Sequence, residues 1–107
     1  MKTEELTGAA LDWAVAQCEG AYSVTVYGGT YPEWSNDWSQ GGPIIEREGM
    51  GVWMYQWSEQ GEPEAGWYAE DKDGDHVRTG VTPLIAAMRS YVASKLGDEV
   101  EIPEELC

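Results

Sequence analysis

The sequence predicts an α+β domain: a small antiparallel sheet of three to four strands, with two helices, N-terminal and C-terminal, packed on one face. Three observations carry that expectation. Apolar residues recur at helical spacing near both ends of the chain, strand-like alternation fills the middle, and glycines and prolines punctuate the boundaries. The 107 residues suit one domain, residues 1–107, ending in an acidic extended tail from about residue 98 to residue 107.

The first helix is expected from Gly8 to Glu19. Thr7 is placed to cap it through its hydroxyl, and Leu6 and Leu11 have the spacing of a hydrophobic staple. Leu11, Ala14, Val15 and Cys18 form its apolar stripe, and Gly20 ends it. Tyr22–Tyr27 (YSVTVY) alternates as a strand and stops at Gly28-Gly29. Thr30–Gly42 has turn residues and no period, which predicts an ordered loop, and Pro43-Ile44-Ile45-Glu46 follows as a short extended piece. Gly51–Trp57 (GVWMYQW) is a strand with Trp53, Tyr55 and Trp57 on one face and Val52 and Met54 on the other. A polar connection with Gly61 and Pro63 leads to a second strand near Gly66–Asp71. Asp73-Gly74 then signals a two-residue hairpin into a short strand at His76-Val77-Arg78. The second helix has Thr82 as cap, Pro83 at its first position and Gly97 as stop. Leu84, Ile85, Met88, Tyr91, Val92 and Leu96 give it a broad apolar face, and Lys95 complements its dipole. Val100 and Ile102 are available to pack from the extended tail.

Twenty acidic and six basic side chains leave a formal charge of −14. Direct nucleic-acid binding is excluded for want of compensating cations, and docking on an anionic membrane is disfavoured for the same reason. A hydrophobic content of 42% is too high for a disordered polyanion. No apolar run approaches a membrane span, and Met1–Glu5 lacks the pattern of a signal peptide. A cytoplasmic location with reduced thiols follows as the expectation. Cys18 and Cys107 provide neither a disulfide framework nor a metal-ligand spacing.

Catalytic motifs are absent, and no cofactor or metal is expected. His76 has Asp73 and Asp75 nearby, but it reads as a solvated residue of a charged hairpin, and no nucleophile-elbow motif occurs. A calcium loop starting at Asp71 would need Gly and Glu where His76 and Thr82 stand. Gly28-Gly29 and Gly41-Gly42 lack the spacing of a phosphate loop.

The surface is more informative. Six Trp and six Tyr occur without a Phe, and these residues favour half-buried positions and binding hot spots. If the helices cover the Val52/Met54 face, the Trp53–Tyr55–Trp57 row is exposed to a partner. If the row faces the helices it is core, the preferred assignment for Trp53 and Tyr55. For the loop tryptophans Trp34 and Trp38 the two readings balance. Glu59–Asp75 carries a net −6 and Asp98–Glu105 a net −5, so most of the charge lies in two segments. Such concentration steers a basic partner or, equally, only keeps the chain soluble.

Three stretches, LTGAALDWAVAQCEG (Leu6–Gly20), DWSQGGPIIERE (Asp37–Glu48) and TPLIAAMRSYVASKLGDEVEIPEEL (Thr82–Leu106), together resemble the NinX-type family of small bacteriophage proteins. They cover about half the chain and fall in the family's order. The resemblance implies an accessory product of a temperate phage or prophage, acting in an infected bacterial host, and it carries over no catalytic residues.

The leading functional expectation is a non-enzymatic interaction protein that engages a basic surface of a host or phage protein. Glu62, Glu64, Glu70, Asp71, Asp73 and Asp75 are the candidate contacts, with Trp34, Trp38, Trp57 and Trp67 as candidate anchors. Nucleic-acid mimicry and inhibition of a host defence complex are two forms of that expectation. The alternatives are a small-molecule binding module or cryptic enzyme, with a pocket under Gly41-Gly42-Pro43 and the nearby tryptophans that takes an anionic ligand only if Arg47, Arg78 and Arg89 converge, and a homodimeric phage component closed by its aromatic face.

Overall fold

The computed structural model describes residues 1–20, 32–59 and 62–106, with the backbone alone for residues 56–59, 62–65 and 105. Helix α1 (Gly8–Cys18), helix α2 (Trp38–Glu48), strands β1 (Gly51–Glu59), β2 (Glu62–Glu70) and β3 (Arg78–Gly80), and helix α3 (Pro83–Leu96) follow in order. Short 3-10 turns at Thr3–Glu5 and Glu104–Leu106 flank them. The sheet is antiparallel with order β1-β2-β3. The α+β class is therefore as expected, with a third helix that the periodicity did not reveal. The strand expected at Tyr22–Tyr27 lies outside the described residues.

Helix α3 is the centre of the molecule. Thr82 caps it by accepting the Ile85 N–H at 3.1 Å, and Pro83 opens it. Leu84, Ala86, Ala87, Met88, Ser90, Tyr91, Val92 and Ala93 are all buried, so the helix is covered nearly all round. One side lies on the sheet, close enough that a Cβ on Gly80 would stand 2.7 Å from the Ala86 nitrogen. The other side receives α1 and α2. Leu6, Leu11, Ala14, Val15 and Ile44 complete the core from there.

The arginines join these layers. Arg47 forks onto Glu19, Nη1 to Oε1 at 3.0 Å and Nη2 to Oε2 at 2.7 Å, and donates to the Tyr91 hydroxyl at 3.1 Å. Tyr91 in turn donates to Glu19, so the end of α1, the last turn of α2 and the middle of α3 share one polar clasp. Arg89 donates from α3 to the Leu6 carbonyl at 2.8 Å and the Thr79 carbonyl at 2.7 Å. Arg78 links β3 to the Thr3 hydroxyl and to Asp98. The chain ends are paired too. Met1 donates its ammonium to the Val100 carbonyl, Val100 returns its N–H to Met1, and Lys2 and Glu99 form an antiparallel bridge.

Several expectations are corrected. Helix α1 ends at Cys18 with Glu19 as its cap, and Thr7 caps it without a side-chain hydrogen bond. Part of the expected loop, and the expected extended piece at Pro43–Glu46, are helix α2. Asp37 caps α2 by accepting the Ser39 N–H at 2.9 Å, and Gly49 closes it at φ 64°. Two glycines and a proline make this a poor helix by propensity, but Ile44 and Gly41 are buried and the clasp holds its last turn. Pro63 and Glu64 belong to β2 rather than to a connection. Proline is tolerated there because β3 pairs only with Trp67–Ala69, which leaves that part of β2 paired on one side. The two-residue hairpin expected at Asp73-Gly74 is a seven-residue connection, residues 71–77, and β3 starts two residues later than His76. The tail is extended as expected, burying Val100, and then turns at Glu104–Leu106.

Two measurements test this packing. A Cβ on Gly41 would lie 2.2 Å from the Trp34 carbonyl oxygen and 2.7 Å from Leu84, whereas one on Gly42 meets nothing nearer than 3.7 Å. Gly41→Ala is expected to lose about 1–3 kcal/mol in urea denaturation, and Gly42→Ala to be neutral or to gain up to about 1 kcal/mol from helix propensity. The guanidinium of Arg47 holds the Glu19 carboxyl below its ordinary value of 4.5. A lowered carboxyl pKa gives stability that is complete above that value and is lost as the pH falls through the folded value. Glu19→Gln is expected to cost about 1–2 kcal/mol at pH 7. The gap to the parent, followed by urea midpoints, should close as the pH falls below 4.5.

Candidate functional site

Because α3 covers only one face of the sheet, the register decides which aromatic side chains remain outside. Val52 pairs with Ala69 and Met54 with Trp67, and these belong to the inner face. Ala69 is in the core, and Val52 and Trp67 pack against it. Met54, at 64% exposure, marks where the cover of α3 ends. Trp53 pairs with Tyr68 and Tyr55 with Gly66 on the opposite face. Trp53 is 43% exposed and Tyr55 and Tyr68 are half-buried, so the core assignment for Trp53 and Tyr55 is overturned. The physical reason is the closeness of the contact. The helix seats where Ala69 and Gly80 let it approach, beside Trp67, and the opposite face keeps Trp53, Tyr55 and Tyr68.

The outward rings form one continuous group. Trp53 and Tyr68 stack with centroids 5.3 Å apart and planes inclined by 23°, and Tyr55 lies 6.2 Å from Tyr68. Glycine makes room for them. A Cβ on Gly51 would fall 2.3 Å from the Trp53 ring, and one on Gly66 would fall 2.8 Å from the Tyr55 hydroxyl. The Trp53 and Tyr55 rings therefore each occupy the space above a glycine, an arrangement that also shields the bare backbone. The backbone register continues to the pair Trp57 and Glu64, and then to Glu59 and Glu62.

Glu70 stands directly opposite Gly51, at the end of the aromatic group, and its carboxylate lies against Gly74. The loop that follows is built on Asp71. Its carboxylate accepts the N–H of Asp75 at 2.8 Å and of His76 at 3.1 Å, and meets His76 Nδ1 at 2.9 Å. The His76 side chain is the main reason that the Asp71 carboxyl is held below the usual aspartate range. Asp71 is thus a positioning residue for the loop, whereas Asp73 and Asp75 are exposed. The Gly74 N–H closes the turn on the Asp71 carbonyl, with Gly74 at φ 75°. Asp75 also shares a cavity of about 540 Å³ with Glu4, Asp98 and Glu99, opposed by Lys2, His76 and Arg78. The two acidic segments of the sequence therefore meet in space, a juxtaposition that depends on the pairing of the chain ends.

The other candidate residues separate. Trp34 is buried in the core and Trp67 packs on the core beneath α3, so neither presents a free indole, while Trp38 is 56% exposed at the start of α2. The glycines and proline of the expected pocket lie inside α2, and Arg47, Arg78 and Arg89 hold different partners instead of converging. The depression beside the start of α2 is about 110 Å³, lined by Ser35, Asn36, Trp38, Thr82 and Leu84. Residues that the sequence argument missed are Tyr68 and Thr79 opposite it, brought into the face by register alone.

Among the described residues the Asp71–His76 pair is the nearest approach to a catalytic dyad, but Ser90 is fully buried and gives its hydroxyl to the His76 carbonyl. Burial pushes the Cys18 thiol up to about 12, which keeps it protonated and a poor nucleophile. Burial likewise raises the Asp12 carboxyl, which accepts the Ser35 N–H at 2.9 Å and fixes the turn before α2. Among the described residues no group of His, Cys, Asp and Glu could hold a metal ion, and no helix is long and apolar enough to cross a membrane.

Gly66→Ala tests the aromatic group directly. The clash falls on the far end of a side chain that can swing away. The expected outcome is a stability loss under about 1 kcal/mol, together with a clear change in near-ultraviolet circular dichroism as Tyr55 leaves Tyr68. An unchanged aromatic spectrum would contradict the placement of Tyr55.

Among known proteins, a family model described as Bacteriophage P22, NinX matches residues 2–95. No curated protein matches the chain.

Proposed function

This chain belongs to the bacteriophage P22 NinX family, and on that premise we propose that it is a phage accessory protein acting by non-enzymatic binding to a basic surface of a host or phage protein. The observation that carries the reading is the outward face of the sheet. Trp53 stacks on Tyr68 there, Tyr55 lies beside Tyr68, and Glu70 stands at the end of the group, followed by the loop that carries exposed Asp73 and Asp75. Large rings supply desolvated contact area, and surrounding carboxylates supply the field that attracts and orients a cationic partner. The backbone register continues to Trp57, Glu64 and Glu62, and the proposed contact includes these three residues. Trp38 offers a second exposed indole.

Carboxylates fixed on a sheet can imitate the phosphate spacing of a nucleic acid. The partner is then a protein whose basic surface ordinarily holds DNA or RNA, and blocking a host defence complex is the form of action that fits a phage product. The expected experiment is affinity capture of the partner from the bacterial host at low and then moderate salt, followed by the same capture with the variant Glu70→Gln, Asp73→Asn, Asp75→Asn. Capture should fall steeply with salt, and the variant should weaken binding of the purified partner roughly tenfold, about 1.4 kcal/mol. Binding indifferent to both salt and the charge substitutions would overturn the reading.

A further inference from the structure

The outward face combines flat rings with carboxylates, and that combination separates the two cations that a basic protein can offer. A lysine ammonium is a compact, strongly hydrated point charge that gains little from a flat surface. An arginine guanidinium is planar, weakly hydrated and able to stack on a ring while its edge donates to carboxylates. Trp53 and Tyr68, 5.3 Å apart and 43% exposed at Trp53, supply the flat surface. Glu70, opposite Gly51 at the end of that surface, supplies an acceptor, and exposed Asp73 and Asp75 stand in the loop next to it.

The chain contains one completed example of the same chemistry. Inside the fold, Arg47 and Lys95 both lie 5.9 Å from the centroid of the Tyr91 ring, but only the guanidinium also forks onto Glu19, while the Lys95 ammonium turns to Glu48 at 3.5 Å. There the ring, the carboxylate and the guanidinium all come from this protein. On the sheet face the ring and the carboxylate are present, and among the described residues no cation lies over Trp53, Tyr55 or Tyr68.

We infer that the Trp53–Tyr68 face with Glu70 is a platform for an arginine side chain of the partner, so that the protein reads arginine in preference to lysine. The inference rests on the proposed binding of a basic surface and names the side chain that makes the contact. The guanidinium covers the Trp53–Tyr68 pair and turns N–H groups toward Glu70. Positive charge alone then brings a partner near, and the planar cation decides which partner stays.

The test uses the full chain with two fluorescent peptides of equal length and charge, one of arginine and one of lysine separated by glycine and serine. Fluorescence anisotropy at moderate salt is expected to show the arginine peptide binding about 5–10-fold tighter. Trp53→Ala and Trp53→Leu both keep the net charge, and the leucine retains apolar bulk suited to a strand should the alanine variant fail to fold. In a folded variant the arginine preference should vanish while the affinity for the lysine peptide is unchanged. Equal affinity of the parent for both peptides, or a preference that survives in Trp53→Leu, would overturn the platform. Equal but salt-sensitive affinities would overturn it while leaving the acidic binding surface standing, whereas binding of neither peptide would remove both. Sedimentation completes the test, because a dimer of the parent that dissociates in Trp53→Leu would assign the face to a second copy of the chain instead.

Discussion

Helix α3 has almost no side to offer to water. Its buried residues point in every direction around the axis, so the chain must supply cover on two sides at once. The sheet provides one side, and α1 and α2 provide the other. Everything else follows from that requirement. The sheet gives one face to α3 and retains the other, and the two layers behind α3 must be held at a fixed separation. The Arg47–Glu19–Tyr91 clasp does this from the helical side, and Arg89 does it by reaching from α3 to Leu6 and to Thr79 of β3. Hydrogen bonds with charged partners suit these junctions because several half-buried polar groups meet there and none can be left unsatisfied.

The elements that could be read from the sequence are those whose local signals agree with their packing. In α3 the cap, the opening proline and the apolar positions all point one way, and β1 shows clean alternation. Helix α2 fails that test. Gly41, Gly42 and Pro43 argue against a helix, and only the contact of Gly41 with Trp34 and Leu84 explains why a small residue is needed there. The bracketing pair Asp37 and Gly49 was the available signal, a cap and a stop at helical separation. The loop after β2 was misread for a related reason. Asp-Gly suggests a tight hairpin, but the Asp71 carboxylate gathers the N–H groups of Asp75 and His76 and stabilises a longer turn.

The candidate face was legible as composition but not as geometry. Alternation put Trp53 and Tyr55 on one side of β1, and nothing in the strand itself says which side the helix takes. The deciding residues lie elsewhere, at Ala69 and Gly80, where small side chains let α3 approach. The meeting of Asp75 with Asp98 and Glu99 was equally out of reach, because it requires the tail to return and pair with Met1–Thr3.

The distribution of the few cations gives the acidity its meaning. All three arginines are engaged at junctions between elements: Arg47 among the helices, Arg78 between β3, Thr3 and Asp98, and Arg89 between α3, Leu6 and Thr79. With six basic residues against twenty acidic ones, that leaves only lysines to offset the surface carboxylates. A chain selected for solubility alone would gain nothing by placing a carboxylate beside exposed aromatic rings, since those rings favour association. At Glu70 a carboxylate stands at the end of the aromatic group, whereas Asp73 shares a depression with Arg47 and Lys95 and Asp75 shares one with Lys2 and Arg78. On the proposed reading, a cation approaching this face meets a field that draws it in and, at the end of its path, a surface that holds a planar cation better than a spherical one.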